Sequence, residues 1–303
     1  MDEHTSGIIN FYKPTGLTCA EFVDSVIKKN FPFKKIGYSG TLDKFAEGVL
    51  PILVNQATKI AKFLEAEDKE YIARIKLGVE TDTLDITGQV VREDKDFRID
   101  MAILLPVLQK FIGVIFQLPP EYSAIKIKGQ RASDLVRSGE KVELKPRKIR
   151  IYNIELLSQK LEENIIELKV SCSKGTYIRA LARDMAKKLG TGATVISLIR
   201  SKSGLFERKN SIKREQIKTG KLDITDIKIF TINEVLARYS PLIIKSQYRH
   251  FIINGKRLNR FMFVDYGDDL REGIYRVMDH EQSLLAMVEY KKEKFFYLRV
   301  FHK

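Results

Sequence analysis

Residues 37–51 read GYSGTLDKFAEGVLP. The stretch places one acid, Asp43, between a Gly-Ser-Gly turn and a second glycine, with no other acid, histidine or cysteine beside it until Glu47. A lone carboxylate in such a loop can serve as a nucleophile, as a general base, or as a turn-former whose oxygen accepts backbone N–H bonds. On this stretch alone the turn-former is the commoner reading. Glu47 would lie one turn along the same face if the segment were helical, which is thin support for a glycosidase with two carboxylates.

Working outward, VLPILV after the loop has the apolar run of a strand, and ATKIAKFL beyond it reads as a short helix. On the N-terminal side GIINFYKP reads as a strand ending at Pro14. Thr18 and Glu21 then form a capping box that opens a helix, with Phe22, Val23, Val26 and Ile27 as its buried stripe. EYIARIKLG alternates, so Tyr71, Ala73, Ile75 and Leu77 share the inward face of a half-buried strand. The spacing of MAILLPVLQKFIGVI predicts a helix through Ile115. The Lys- and Arg-rich segment 119–150 reads as an insertion over the surface, with a short helix near 133–138. IRIYNIELL and NIIELKVSCS predict a hairpin, and TYIRALARDMAKKLG a helix stopped by Gly190. Residues 211–240 read as mixed helix and loop. From about residue 240 the composition turns β-rich, which predicts a small C-terminal β-barrel over 241–303 after a larger domain over 1–240.

The 303 residues carry 53 Lys and Arg against 39 Asp and Glu, a formal charge of +14. That excess points to a polyanionic partner, nucleic acid ahead of mere solubility, without choosing RNA or DNA. Cys19 and Cys172 are too few for a disulfide framework, and the four histidines, His4, His250, His280 and His302, have no metal-ligand spacing. No stretch has the apolar length of a membrane span, and the N-terminus lacks an apolar signal core. A cytoplasmic protein with no metal is expected.

Tyr71 taken alone is more often core packing than a base-stacking platform. Tyr177 and Arg179 open a helix after SCSKG, where an arginine can hold a carboxylate or phosphate. Opposite Asp43, Arg179 would keep that acid ionised.

GYSGTLDKFAEGVLP with NQATKIAKFL, then EYIARIKLGVETDTLDITGQVV, QLPPEYSAIKIKGQR and CSKGTYIRALARDMAKKLGTGATVISLIRSKSG, in this order, resemble the TruB family of tRNA pseudouridine synthases over residues 7–205. The resemblance implies an α+β fold: a mixed, mainly antiparallel sheet with flanking helices, an inserted thumb-like segment and a small C-terminal β-barrel similar to a PUA domain. It implies isomerisation of uridine-55 in the tRNA T loop, with no cofactor, no metal, no obligate protein partner and a monomeric, stand-alone enzyme. Asp43 matches the catalytic aspartate, Tyr71 the tyrosine that stacks on the target base, and Arg179 the arginine that pairs with the carboxylate. Tyr177 and Leu198 match residues lining the uridine site, and Lys13 with Pro14 an N-terminal motif beside it. Two positions depart from the family pattern: Tyr38 stands where histidine is usual, so an imidazole proton is lost at an RNA-contacting position, and Ile199 interrupts the usual Leu-Arg-Arg.

Overall fold

The structure, a computed structural model, describes residues 3–123, 125–127, 129–218, 227–264 and 270–301. Ala124 and Lys128 of the basic insertion and residues 219–226 of the mixed segment lie outside the described residues.

Strand β1 (Gly7–Lys13) is buried along its whole length. Thr18 then starts the helix α1 (Cys19–Phe22): its hydroxyl accepts from the Glu21 N–H and the Glu21 carboxylate accepts from its own N–H, the expected capping box. A wide π turn, Val23–Ile27, leads into α2 (Lys28–Asn30), and the predicted apolar stripe is buried. Next come β2 (Ile36–Tyr38) and β3 (Glu47–Val54), antiparallel neighbours joined by the loop that carries Asp43. The segment after β3 is a 3-10 turn, Asn55–Ile60, continued by α3 (Ala61–Glu65). β4 (Lys69–Leu77) shows the alternation read from its sequence, with Tyr71 facing inward. β5 (Val79–Thr81) and β6 (Val90–Glu93) form a small hairpin.

The predicted helix through Ile115 stops earlier. α4 (Met101–Lys110), capped by the Asp100 side chain on the Ala102 N–H, ends before Gly113. Gly113 sits at φ +112, which a helix cannot continue through, and turns the apolar tail into strand β7 (Gly113–Gln117). The chain then leaves the sheet for the insertion, a minimal ladder of β8 (Lys126–Ile127) with β9 (Gln130–Arg131) and a helix, α5 (Ala132–Arg137). It returns as β10 (Arg147–Lys160), whose first residue pairs with Gln117, so the excursion starts and ends on one cross-strand pair and residues 147–150 belong to the sheet. β11 (Ile165–Cys172) completes the expected hairpin, and α6 (Ile178–Lys188) stops at Gly190 with φ +78. β12 (Ala193–Ser203), β13 (Phe206–Glu207), α7 (Arg214–Lys218), β14 (Ile229–Phe230) and α8 (Ile232–Val235) follow.

The result is an α+β fold built on a ten-stranded sheet in the order β14-β1-β3-β12-β4-β11-β10-β7, with β2 and β13 attached at its side. Every pairing in it is antiparallel except β3 with β12, a short parallel contact of Ile199 with Glu47 and Arg200 with Gly48. The C-terminal segment forms a separate five-stranded sheet of β15 (Pro241–Ile244), β16 (Phe263–Val264), β17 (Gly273–Met278), β18 (Leu284–Lys291) and β19 (Lys294–Val300), with α9 (Arg249–Ile253) packed on it. Leu242, Ile244, Ile252, Ala286 and Val288 give it a core of its own, while Met287 and Phe301 join Ile8, Val49, Leu53 and Ile60 of the larger unit. No helix among the described residues is long and apolar enough to cross a membrane.

Candidate active site

The loop that carries Asp43 is held at both ends by one side chain. Arg200, almost fully buried on β12, donates from Nε to the Val49 carbonyl and from a terminal nitrogen to the Gly40 carbonyl, each at 2.8 Å. The glycines of the loop make that approach possible. At Gly48, φ +122, a Cβ would fall 2.3 Å from the Arg200 carbonyl oxygen, so only glycine lets β3 lie against β12. Within the loop the Asp43 carbonyl accepts from the Ala46 N–H at 3.1 Å, closing a turn at the acid.

Arg179, in the first turn of α6, meets it there. Its Nε lies 2.9 Å from Asp43 Oδ2, and only 4% of the guanidinium side chain is exposed. One terminal nitrogen lies 3.1 Å from Asp85 Oδ2 and donates to the Thr83 carbonyl at 2.8 Å; the other donates to the Tyr122 carbonyl at 3.0 Å. Asp85 is itself fixed, its Oδ1 accepting from the Thr87 N–H at 2.9 Å and from the hydroxyls of Thr87 and Thr83. The start of α6 is set by a further clamp: Gln117 Oε1 accepts from the Tyr177 N–H at 2.8 Å while its amide donates to the Tyr177 carbonyl at 3.1 Å.

Desolvation on the cleft floor pushes the Asp43 carboxyl above its ordinary value. Arg179 pulls it back down, and the neighbouring Asp85 carboxylate pushes it up. The side chain still presents 40% of its surface to the cleft, so water there shares in stabilising the charge until a ligand displaces it. Burial also pushes the Tyr71 phenol up to about 12, against the pull of the Arg200 charge, so Tyr71 is neutral at physiological pH.

Asp43, Arg179, Arg200 and Tyr71 line a cavity of about 370 Å³. Of the residues singled out from the sequence, Asp43, Tyr71, Tyr177, Arg179 and Leu198 are brought together in its wall. Tyr38 borders a neighbouring cleft of about 340 Å³ that shares Asp43 and Arg179 with the first. Lys13 lines neither. It is wholly buried, its ammonium donating to the carbonyls of Pro14 at 2.9 Å and Leu17 at 2.6 Å, and burial lowers its pKa to about 8. Its charge reaches Asp43 only through space.

Sequence reasoning passed over Arg200, Asp85 and Gln117. Arg200 stood in the sequence beside Leu198, but an arginine in a strand reads as solvated, and its two carbonyl partners lie more than a hundred residues away. Asp85 sits in a Thr-rich turn inside one of the family blocks, where nothing local marks it as the partner of Arg179. Lys69, also in the cavity wall, holds the end of α3 by donating to the Glu65 and Glu67 carbonyls.

The fold is the pseudouridine synthase fold, with an ion-paired aspartate in its cavity wall. The fold superposes on the archaeal box H/ACA sRNP Nop10-Cbf5 complex with a TM-score of 0.72 and 22% identity, covering 99% of this chain and 87% of that one. A Cbf5-Nop10-Gar1 complex gives a TM-score of 0.70 at 24% identity, covering 98% and 84%. The TruB family pseudouridylate synthase N terminal domain matches residues 28–178. The tRNA pseudouridine synthase B of Clostridium tetani is 43% identical over 86% of this chain and 88% of its own length. That of Alkaliphilus oremlandii is 37% identical over 95% and 99%. The chain belongs to the TruB family of pseudouridylate synthases.

Proposed function

We propose that this protein is a stand-alone cytoplasmic tRNA pseudouridine synthase, acting as a monomer without a cofactor, that isomerises uridine-55 in the T loop through the Asp43 carboxylate. The single observation that carries the reading is Asp43 ion-paired to Arg179 on the floor of a cavity walled by Tyr71 and Leu198. Relatives similar over nearly the whole chain bear the name tRNA pseudouridine synthase B, which supports tRNA as the substrate.

The chemistry asks for little more than this arrangement. The N1–C1′ bond breaks, the uracil turns in place, C5 bonds to C1′, and the proton leaving C5 is balanced by one gained at N1. Asp43 can add to the base at C6 or act at C1′ of the ribose, and either route needs the ionised carboxylate that Arg179 supports. The freed base must be kept from water, which bound RNA covering the half-open cleft would do. Tyr71 replaces the stacking lost when the nucleotide turns out of its loop.

A T-stem-loop RNA incubated with the protein, with the modified nucleotide then mapped, tests the reading. Pseudouridine at the position of uridine-55 is expected. Unmodified RNA, modification at another position, or release of free uracil, the product of an N-glycosidase, would overturn it.

A further inference from the structure

β7 closes one edge of the ten-stranded sheet, and its outward side chains Val114 and Phe116 are 50% and 73% exposed. Their cross-strand partners on β10 are Arg150 and Lys148. Two residues along β10, Tyr152 is exposed as well, its ring 6.0 Å from the Arg150 guanidinium and its hydroxyl donating to Asp68 Oδ1 at 3.0 Å. Elsewhere on this open face Arg74 is paired with Glu167 at 4.0 Å and Lys169 with Glu70 at 3.6 Å, while the Lys76 ammonium donates to the Glu163 carbonyl. Lys148 and Arg150 have no carboxylate in ion-pair range among the described residues. Scattered exposed apolar residues are ordinary. Rings alternating with unpaired cations on neighbouring strands have the composition on which unstacked RNA bases lie while their phosphates are neutralised.

The strip meets the catalytic cavity at the start of β10, on the opposite face of the strand. Arg147 begins the same strand and lines the cavity, and the Arg150 N–H donates at 2.9 Å to the hydroxyl of Ser173, another cavity residue. Lys174, exposed, comes next in that loop. A run of cations therefore leads from the cavity rim around the sheet edge. It lies at the end of the sheet opposite β1 and β3, where the C-terminal sheet packs through Met287.

We infer that Phe116, Lys148, Arg150 and Tyr152 form a second RNA-contact surface, which takes unpaired nucleotides of the substrate RNA lying outside the stem-loop that enters the cavity. The inference rests on the reading of the protein as a tRNA-modifying enzyme. The free edge of β7 would equally admit an added protein strand. The unpaired charges and exposed rings favour phosphates and bases, and the protein alternative becomes an outcome of the test.

The test uses the full-length chain in two variants, Phe116→Ser with Lys148→Glu and Arg150→Glu, and the milder pair Lys148→Ala with Arg150→Ala, whose exposed sites spare the core. Binding of unmodified full-length tRNA and of an isolated T stem-loop is measured across a salt series, with turnover on both. The expected result is about a tenfold weaker affinity for full-length tRNA in the triple variant, and a log–log salt slope shallower by about one to two for the loss of two phosphate contacts. Stem-loop affinity and turnover should stay at wild-type values. Unchanged full-length affinity and slope in both variants would overturn the inference and leave the edge to a protein or to nothing. Equal weakening for tRNA and stem-loop would overturn it too, since the strip would then belong to the cavity's own grip. Failure of the wild-type protein to modify either RNA counts against the proposed function instead, so the two failures are distinct.

Discussion

The two halves of the large sheet are built differently. β1 and β3 are buried almost residue for residue, because the main core covers one face and a second cluster, with Ile60, Leu64, Phe206, Leu236 and, from the C-terminal segment, Met287 and Phe301, covers the other. β4 and β11 alternate buried with half-buried residues, and β10 alternates buried with exposed ones, because one face of that half is open. Asp43 grows from the doubly covered half, whereas Tyr71, Arg147 and Ser173 come from the open one. The active site therefore sits on the seam where β3 meets β12. The Asp43 carboxylate is anchored in the more deeply buried half, and the facing wall is built from the half with solvent on one side.

The comparison breaks most severely at the seam. In Gly48→Ala the new methyl meets the Arg200 backbone at φ +122, which should cost about 3 kcal/mol or more and move Asp43 with it. Urea unfolding together with turnover measures this, and a variant as stable and as active as wild type would dissolve the seam. Next in size is Arg200→Met, which leaves the Gly40 and Val49 carbonyls without their donor. The expected loss is about 2–4 kcal/mol, read from the same unfolding curve.

The site's own titration comes third. Desolvation raises the Asp43 pKa, and the reactive form is the deprotonated one, so the rate should fall on acidification through a value above the ordinary aspartate range. Tyr71 stays protonated to about 12, so no loss of rate from its ionisation is expected near pH 10. A single-turnover pH series checks both limbs. The smallest effect belongs to the open half: Arg74→Ala removes only an exposed pair with Glu167 at 4.0 Å and should change stability by less than about 0.5 kcal/mol.

What could be read beforehand follows the same division. The alternation of β4, the Thr18 capping box and the Gly190 stop are local signals, and each appears where its residues place it. The helix predicted through Ile115 ran too far because FIGVI is as apolar as the helix before it, and only the positive φ at Gly113 separates the two. Spacing alone left Asp43 a turn-former, and it was the family pattern that singled it out. Its setting depends on contacts remote in sequence: the β3–β12 pairing, the buried Arg200, and Asp85 sharing one guanidinium with Asp43. None of these has a local signature. Lys13 shows the opposite case, a residue named for the substrate site whose ammonium is spent on two backbone carbonyls and which lines neither cleft.

The most direct measurement is tritium release from tRNA labelled at C5 of uridine, run beside a tRNA-binding assay, on Asp43→Asn. Asparagine keeps the shape of the side chain and removes its charge, so release should vanish while tRNA affinity stays within a few-fold of wild type. Release at the wild-type rate would contradict the assignment of Asp43 as the group that carries the reaction.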